Sequence, residues 1–446
     1  MSRRTLLRGA RLVTMDPDLG DLTGDVLVED DVIAAVGPDL AVTDAEVVDA
    51  ADWIVAPGFV DTHRHTWQSA MRHTYADLDP MQYFAEVLER IGPSFEPEDV
   101  RVGNLLGAAG ALSAGTTTLV DWSHIQNTPE HSDAAVAGLR EAGIRGVFAH
   151  GWPLVTDGSW TVASTLGHPQ DIRRVQAEYF SSSDQLLTLA MAMRGPEEAS
   201  PEVFTADLRL ARELGIRSTV HVGAYARHAH DHAVDQYAAA GLLGPDMTFV
   251  HCNRLHRHEL QLIADAGASV SLGAHCEMNS AGIGDIPLDH LLDIGLRPSL
   301  SGDTETKCTG DMFTQMKMVF AAYRFWTGGG HSSVERPVPL RMRDVLKFAT
   351  VHGARAVGMA DRIGSLTPGK QADLVCVRAT DLNIAPSLDP VASLVLAAHE
   401  GNVDSVMVAG RFVKRDGRLV GIDQRALLEQ ALASQERIGA RTRAAG

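Results

Sequence analysis

Residues 57–68 read "PGFVDTHRHTWQ", a short β-type run that ends in two histidines with one residue between them. Side chains along a strand alternate between its faces, so His63 and His65 point the same way and can meet at one spot. That is what a shared metal ion requires. A lone HxH pair is weak support, and the rest of the chain has to supply the other ligands.

Outward from this run, the chain alternates short β-rich runs with longer helical patterns, the signature of repeated βα units and a parallel sheet. The runs are "FVDTHRH" (59–65), "TTTLVDWS" (116–123), "RGVFAH" (145–150), "LLTLAMAM" (186–193), "RSTVHVG" (217–223), "MTFVHCN" (247–253), "ASVSLGA" (268–274) and "RPSLSGD" (297–303). Eight parallel strands predict an α/β fold, a closed (β/α)8 TIM barrel over residues 56–360. Between strands, "SPEVFTADLRLARELG" shows helix punctuation, with Ser200 at the cap, Pro201 in the first turn and Gly215 as the stop. The ends read differently. Residues 1–55 and 361–446 are rich in strands and glycine turns, and predict one small β-sandwich built from both termini, followed by a C-terminal helix.

The bulk numbers narrow the function classes. Of 446 residues, 45% are hydrophobic and 22% charged, which describes an ordinary globular chain rather than a disordered or fibrous one. A formal charge of -18 argues against a nucleic-acid partner and for a small-molecule substrate. Cys252, Cys276, Cys308 and Cys376 lack CxxC spacing and suit a reducing cytoplasm. The stretch "NLLGAAGALSAGTTTLV" (104–120) falls short of a membrane span and reads as a helix stopped at Gly115 before a strand. The arginine pair near the start is followed by no apolar export segment, so the expectation is a cytoplasmic protein.

In such barrels the chemistry sits at the C-terminal ends of the strands. There the first strand offers His63 and His65, the fifth His221, the sixth His251 and the eighth Asp303. Three imidazoles and a carboxylate suit one divalent ion, zinc first, with iron, manganese and cobalt as alternatives. As a series at separate strand ends, these residues are a strong signal.

At this point the chain resembles the amidohydrolase superfamily, in its cytosine-deaminase-like branch with the S-adenosylhomocysteine deaminases and atrazine-type s-triazine hydrolases. The resemblance rests on "APGFVDTHRHTWQSAMR", "SAGTTTLVDW", "ELGIRSTVHVG", "FVHCNRL", "LLDIGLRPSLSGD", "FATVHGARAVGM" and "IGSLTPGKQADLVCV", in that order along nearly the whole chain. It implies a barrel with a terminal β-sandwich, metal ligands His63, His65, His221 and Asp303, His251 as the group that polarises the substrate, and a homodimer.

The branch usually carries a glutamate three residues after the fifth-strand histidine, to pass a proton to the leaving amine; here that position is Ala224. Asp303 is a candidate base, and Glu277 and Glu305, just past the seventh and eighth strands, are candidate replacement acids. His275 keeps a family position, although the residues after it differ. Trp67, Trp122 and Trp152 follow the first three strands and are candidates to stack on a flat substrate, the rival reading being plain packing. Arg194 closes the fourth strand and suits a substrate carboxylate, whereas Arg72 is as well read as structural. "RHAHDHAVDQ" brings His228, His230 and His232 together with Asp231 as a candidate second metal cluster, but in a loop after the fifth strand they read as solvated residues, and His256 and His258 of "HCNRLHRHEL" read as a helix start.

The leading expectation is a metal-dependent hydrolase that cleaves a C–N bond of a small cyclic or aromatic compound through metal-bound hydroxide. The alternative keeps the site for a non-hydrolytic ring closure, as in benzoxazole-forming synthases of natural-product biosynthesis that act on aminophenol-type esters. An inactive scaffold is a third reading, disfavoured by the intact ligand set.

Overall fold

A computed structural model of the chain describes residues 3–225, 230–280 and 282–445. Eight parallel strands follow one another around a single sheet: Phe59–Arg64, Thr116–Ser123, Arg145–His150, Leu187–Met193, Arg217–Val222, Met247–His251, Ser269–Leu272 and Ser299–Leu300. Each falls within its expected run. The strand Thr116–Ser123 is buried along its whole length, as a parallel strand covered on both faces should be.

The last strand is too short to zip along the first, and closure happens one step later. The Asp303 N–H donates to the His63 carbonyl at 3.0 Å, and the His65 N–H donates to the Asp303 carbonyl at 2.8 Å. Asp303 adopts φ 55° to do this, a left-handed backbone that a residue other than glycine seldom takes. The seam of the barrel therefore places the Asp303 side chain beside both histidines of "THRH".

Helices cover the sheet where the sequence predicts them. Pro97–Ser113 opens with a proline in its first turn and hands over to the second strand through Gly115 at φ 85°. A side chain at Gly115 would also strike Val375 of the terminal domain, its Cβ only 2.6 Å from the valine Cγ2. Ser200 occupies the cap of Pro201–Glu213 without making a side-chain capping bond.

Both termini build the second domain as one nine-stranded, mostly antiparallel sheet. Its halves join where Trp53–Pro57 pairs antiparallel with Leu374–Arg378, Val55 opposite Cys376. Leu7, Leu12, Val26, Ile33, Leu374 and Met407 form its own core. The domain is pinned to the barrel by a buried ion pair, Arg145 Nε to Asp373 Oδ2 at 2.7 Å. The C-terminal helix Gln424–Ala445 docks on the barrel helix Pro97–Ser113, where buried Asp99 accepts from Ser434 Oγ at 2.7 Å, from Arg437 at 3.0 Å and from Arg441. Among the described residues no helix is long and apolar enough to cross a membrane.

Candidate active site

At the C-terminal mouth of the barrel, His63 and His65 leave the first strand, His221 the fifth and His251 the sixth. Nε2 of His221 faces Nε2 of His63 at 3.2 Å, and Asp303 Oδ1 lies 3.5 Å from Nε2 of both His63 and His65. Burial pushes the imidazoles of His63, His65 and His221 below their ordinary range, which favours the neutral rings a metal needs. Burial alone would raise the Asp303 carboxyl, but the His63 contact and the positive character of the neighbouring imidazoles, His251 first, hold it well below the carboxylate range. Two facing imidazole nitrogens share at most one proton, so their converging lone pairs and the adjacent carboxylate fit a first-row divalent ion such as zinc.

His251 has a ring nitrogen within 4.8 Å of donor atoms of His63 and His221. Its Nδ1 donates to Glu277 Oε1 at 3.1 Å; burial alone would lower the imidazole, but this bond and the charges of Asp303 and Glu277 hold it above its ordinary range. His251 at φ 75° and Cys252 at φ 63° turn the chain sharply at this strand end. Strained backbone of this kind collects where a side chain has to be aimed.

The site opens on a cleft whose walls include Tyr83, Phe84, Trp152, Trp160 and Tyr225, with Glu89, Glu197, Glu198 and Lys307 as charged members beside the histidine and aspartate cluster. Flat aromatic walls interrupted by polar and charged groups suit a planar ligand that also carries polar atoms. His124 also lines the cleft, its ring centre 4.4 Å from that of His65, and burial pushes it down to about 3. The second strand ends at Ser123, so His124 was legible as a strand-end histidine and was missed by one position.

Glu197 is the larger omission. It follows the fourth strand in "RGPEEAS", a stretch without any catalytic motif, and the fold carries it across to the fifth. There the Gly223 N–H donates to Glu197 Oε1 at 2.7 Å, next to the position that Ala224 leaves without a carboxyl. Burial pushes the Glu197 carboxyl up to about 8; the Gly223 bond opposes this, while the charges of Glu198, Asp231 and Glu259 add to it.

Several expected contacts turn out otherwise. Glu277 does not border the cleft. Its carboxylate sits behind His251 and also accepts the Gly273 N–H at 2.9 Å, so it orients the imidazole rather than serving as a replacement acid. Glu305 is taken up by Ser69 and by Arg72 at 3.0 Å. Arg194 points away from the cleft into a fully buried pair with Asp207 at 3.0 Å, and its guanidinium lies over the Trp160 ring at 4.8 Å. Trp67 packs edge-on against Phe95, ring centres 4.9 Å apart, and Trp122 backs the ligands, 4.1 Å from His221. Of the three tryptophans only Trp152 reaches the cleft. The His275 ring meets Thr309 Oγ1 at 3.3 Å, and its neighbour Cys276 lines the wall instead. His228 lies outside the described residues.

Comparison with known proteins places this geometry. A 5'-deoxyadenosine deaminase of Methanosarcina mazei is 25% identical over 445 residues, covering 98% of each chain. A 5-methylthioadenosine/S-adenosylhomocysteine deaminase of Moorella thermoacetica is 27% identical over 91% of this chain and 93% of its own. The crystal structure of an adenosine deaminase from Xanthomonas campestris with bound zinc superposes with a TM-score of 0.83 at 25% identity, covering 98% of both chains. An atrazine chlorohydrolase from Arthrobacter aurescens complexed with zinc shares the fold at a TM-score of 0.85 and 20% identity, over 97% of this chain and all of that one, 100%. The model of the amidohydrolase family matches residues 54–413, the barrel with the strands that flank it. By that match, the chain belongs to the amidohydrolase family.

Proposed function

We propose that this enzyme is a metal-dependent deaminase that removes an exocyclic amine, as ammonia, from a flat nucleoside-like heterocycle. The observation that carries the reading is the convergence of His63, His65, His221 and Asp303 at the mouth of an aromatic cleft, with a second carboxyl, Glu197, on its wall. The full-length similarity to purine-nucleoside deaminases supports the substrate class.

One divalent ion, zinc by preference, would be held by His63, His65, His221 and Asp303, and would supply Lewis acidity that brings a water's pKa toward neutrality. Asp303 takes the proton of the attacking water. His251, its Nδ1–H committed to Glu277, presents the Nε2–H of its protonated ring to the heterocycle and stabilises the negative charge that develops there. Trp152, Trp160 and Tyr225 hold the ring flat. Glu197, protonated at neutral pH, donates to the departing nitrogen and fills the role absent at Ala224. The oxygen of water bonds to the ring carbon, the C–N bond breaks, and the amine leaves with the Glu197 proton. No feature of the cleft favours ring closure over amine release.

The test is ammonia release from a panel of 6-aminopurine nucleosides, including 5'-deoxyadenosine. Release from at least one is expected. No ammonia from any amine, together with a ring-closed product from an aminophenol ester, would overturn the proposal.

A further inference from the structure

Two helices begin side by side near the catalytic end of the barrel, and each pairs a histidine at its cap with an acid three residues on. Ala233–Ala239 is capped by His232 and holds Asp235, and Arg257–Asp265 is capped by His256 and holds His258 and Glu259. A spacing of three puts cap and acid on one side of the first turn. The sequences "HAVD" (232–235) and "HRHE" (256–259) thus present two like-built faces to each other.

We propose that His232, Asp235, His256, His258 and Glu259 form a second metal site, for a zinc-class divalent ion, which ties these two helices together and is separate from the cluster on the barrel axis.

The donor atoms are already gathered. Those of His232, His256 and Glu259 lie within 4.8 Å of one another, as do those of His232, Asp235 and His258, so His232 is common to both triads. The His232 and His256 rings lie nearly parallel, centres 5.3 Å apart, and His258 stands 5.9 Å from His256. Asp235 Oδ2 is 2.8 Å from His258 Nε2 and 3.6 Å from His232 Nδ1.

Glu259 is the second, independent observation. Unlike the three surface imidazoles it is only 1% exposed. One carboxylate oxygen accepts the His256 N–H at 3.1 Å and stands 3.9 Å from His232 Nδ1, while the other, Oε1, has no hydrogen-bond partner among the described residues. A buried carboxylate oxygen without a partner is costly, and a cation beside it removes that cost. Acid–imidazole pairing accounts for Asp235 with His258 but leaves Glu259 Oε1 unexplained.

Imidazole with carboxylate is the donor set of zinc, cobalt or nickel, whereas magnesium and calcium prefer all-oxygen shells. Zinc ligands at about 2.0–2.1 Å stand roughly 3.3 Å from one another in a tetrahedron. The three histidines are exposed and Glu259 is the buried floor of the site, so His232, His256, His258 and Glu259 would fill a four-ligand shell with Asp235 hydrogen-bonded to His258 behind it. Occupancy would anchor the helix that starts just beyond Tyr225, a wall of the catalytic cleft, to the helix after the sixth strand.

The test is metal stoichiometry of the full chain, stripped by a chelator, reloaded with excess zinc, dialysed and measured by elemental analysis. The parent binds two equivalents. His232→Ala/His258→Ala binds one, with unchanged far-ultraviolet circular dichroism, and His63→Ala also binds one. Reloaded with cobalt as a spectroscopic probe, those two variants lose different absorption bands. Glu259→Gln keeps the fold and weakens the second equivalent at least about tenfold. A parent that saturates at one equivalent, or a second equivalent that persists in His232→Ala/His258→Ala, overturns the proposal. Neither result touches the deaminase reading, which stands or falls with the equivalent lost in His63→Ala.

Discussion

Replacing Glu197 with glutamine isolates the proton that the leaving amine needs. Glutamine keeps the size of the side chain and an oxygen to accept the Gly223 N–H, which Glu197 now takes at 2.7 Å, so the loop after the fourth strand stays in place. What disappears is the acid. With the carboxyl pushed up to about 8, the protonated form predominates at pH 7. General acid catalysis contributes ~10²–10⁴-fold, or about 3–5 kcal/mol of barrier, so kcat for an amine substrate falls at least about 100-fold in Glu197→Gln. The same heterocycle bearing chloride in place of the amine expels a leaving group that needs no proton, and its kcat falls less than about tenfold. The pH profile gives a second readout. Because the protonated form is the active one, parental kcat for the amine is full below the folded pKa and declines as pH rises through about 8; the variant lacks that limb. Equal losses on amine and chloride substrates, or an alkaline limb that survives the substitution, would refute the reasoning.

Other consequences follow from the same geometry. Arg194→Met leaves the buried Asp207 carboxylate without its cation and costs about 3–5 kcal/mol in urea unfolding, only part of it recovered in Arg194→Met/Asp207→Leu because the His168 N–H then loses its acceptor; a raised KM with unchanged stability would restore the substrate-binding role. Glu277→Gln removes the carboxylate that holds the His251 proton and lowers kcat by about 10–100-fold while KM and bound metal hold, whereas metal loss would argue that Glu277 supports the ligands instead. Burial, with Lys347, Arg355 and Arg297 nearby, pushes the His352 imidazole down to about 4, so between there and its ordinary 6.5 the unfolded chain binds a proton the folded chain refuses. Stability is therefore lost as pH falls through that window, and His352→Gln flattens the loss by up to about 1.4 kcal/mol per pH unit; an unchanged slope in denaturation between those limits would show that His352 is not responsible.

Much of the fold was legible because period and punctuation were local. The eight runs and the Gly115 stop recur as strands and turn, and the strand-end rule picked His63, His65, His221, His251 and Asp303, which the barrel brings to one mouth. What the rule could not read was direction. Arg194 and Trp67 stand at or near strand ends yet turn outward, toward Asp207 of the next helix and toward Phe95. Trp122 is buried behind the imidazoles it supports. Glu197 was hidden for a different reason, since its role depends on a contact between consecutive strand-end loops that no spacing in "RGPEEAS" encodes. The paired helix starts at His232 and His256 likewise meet only in three dimensions.

The most direct measurement is ammonia release from 5'-deoxyadenosine or another 6-aminopurine nucleoside by enzyme stripped of metal and then reloaded with zinc, alongside His63→Ala treated the same way. Activity that vanishes on stripping, returns on reloading and never returns in His63→Ala is the predicted result. Ammonia release that survives complete removal of metal, or that His63→Ala retains in full, would contradict the assignment of chemistry to the histidine and aspartate cluster at the mouth of the barrel.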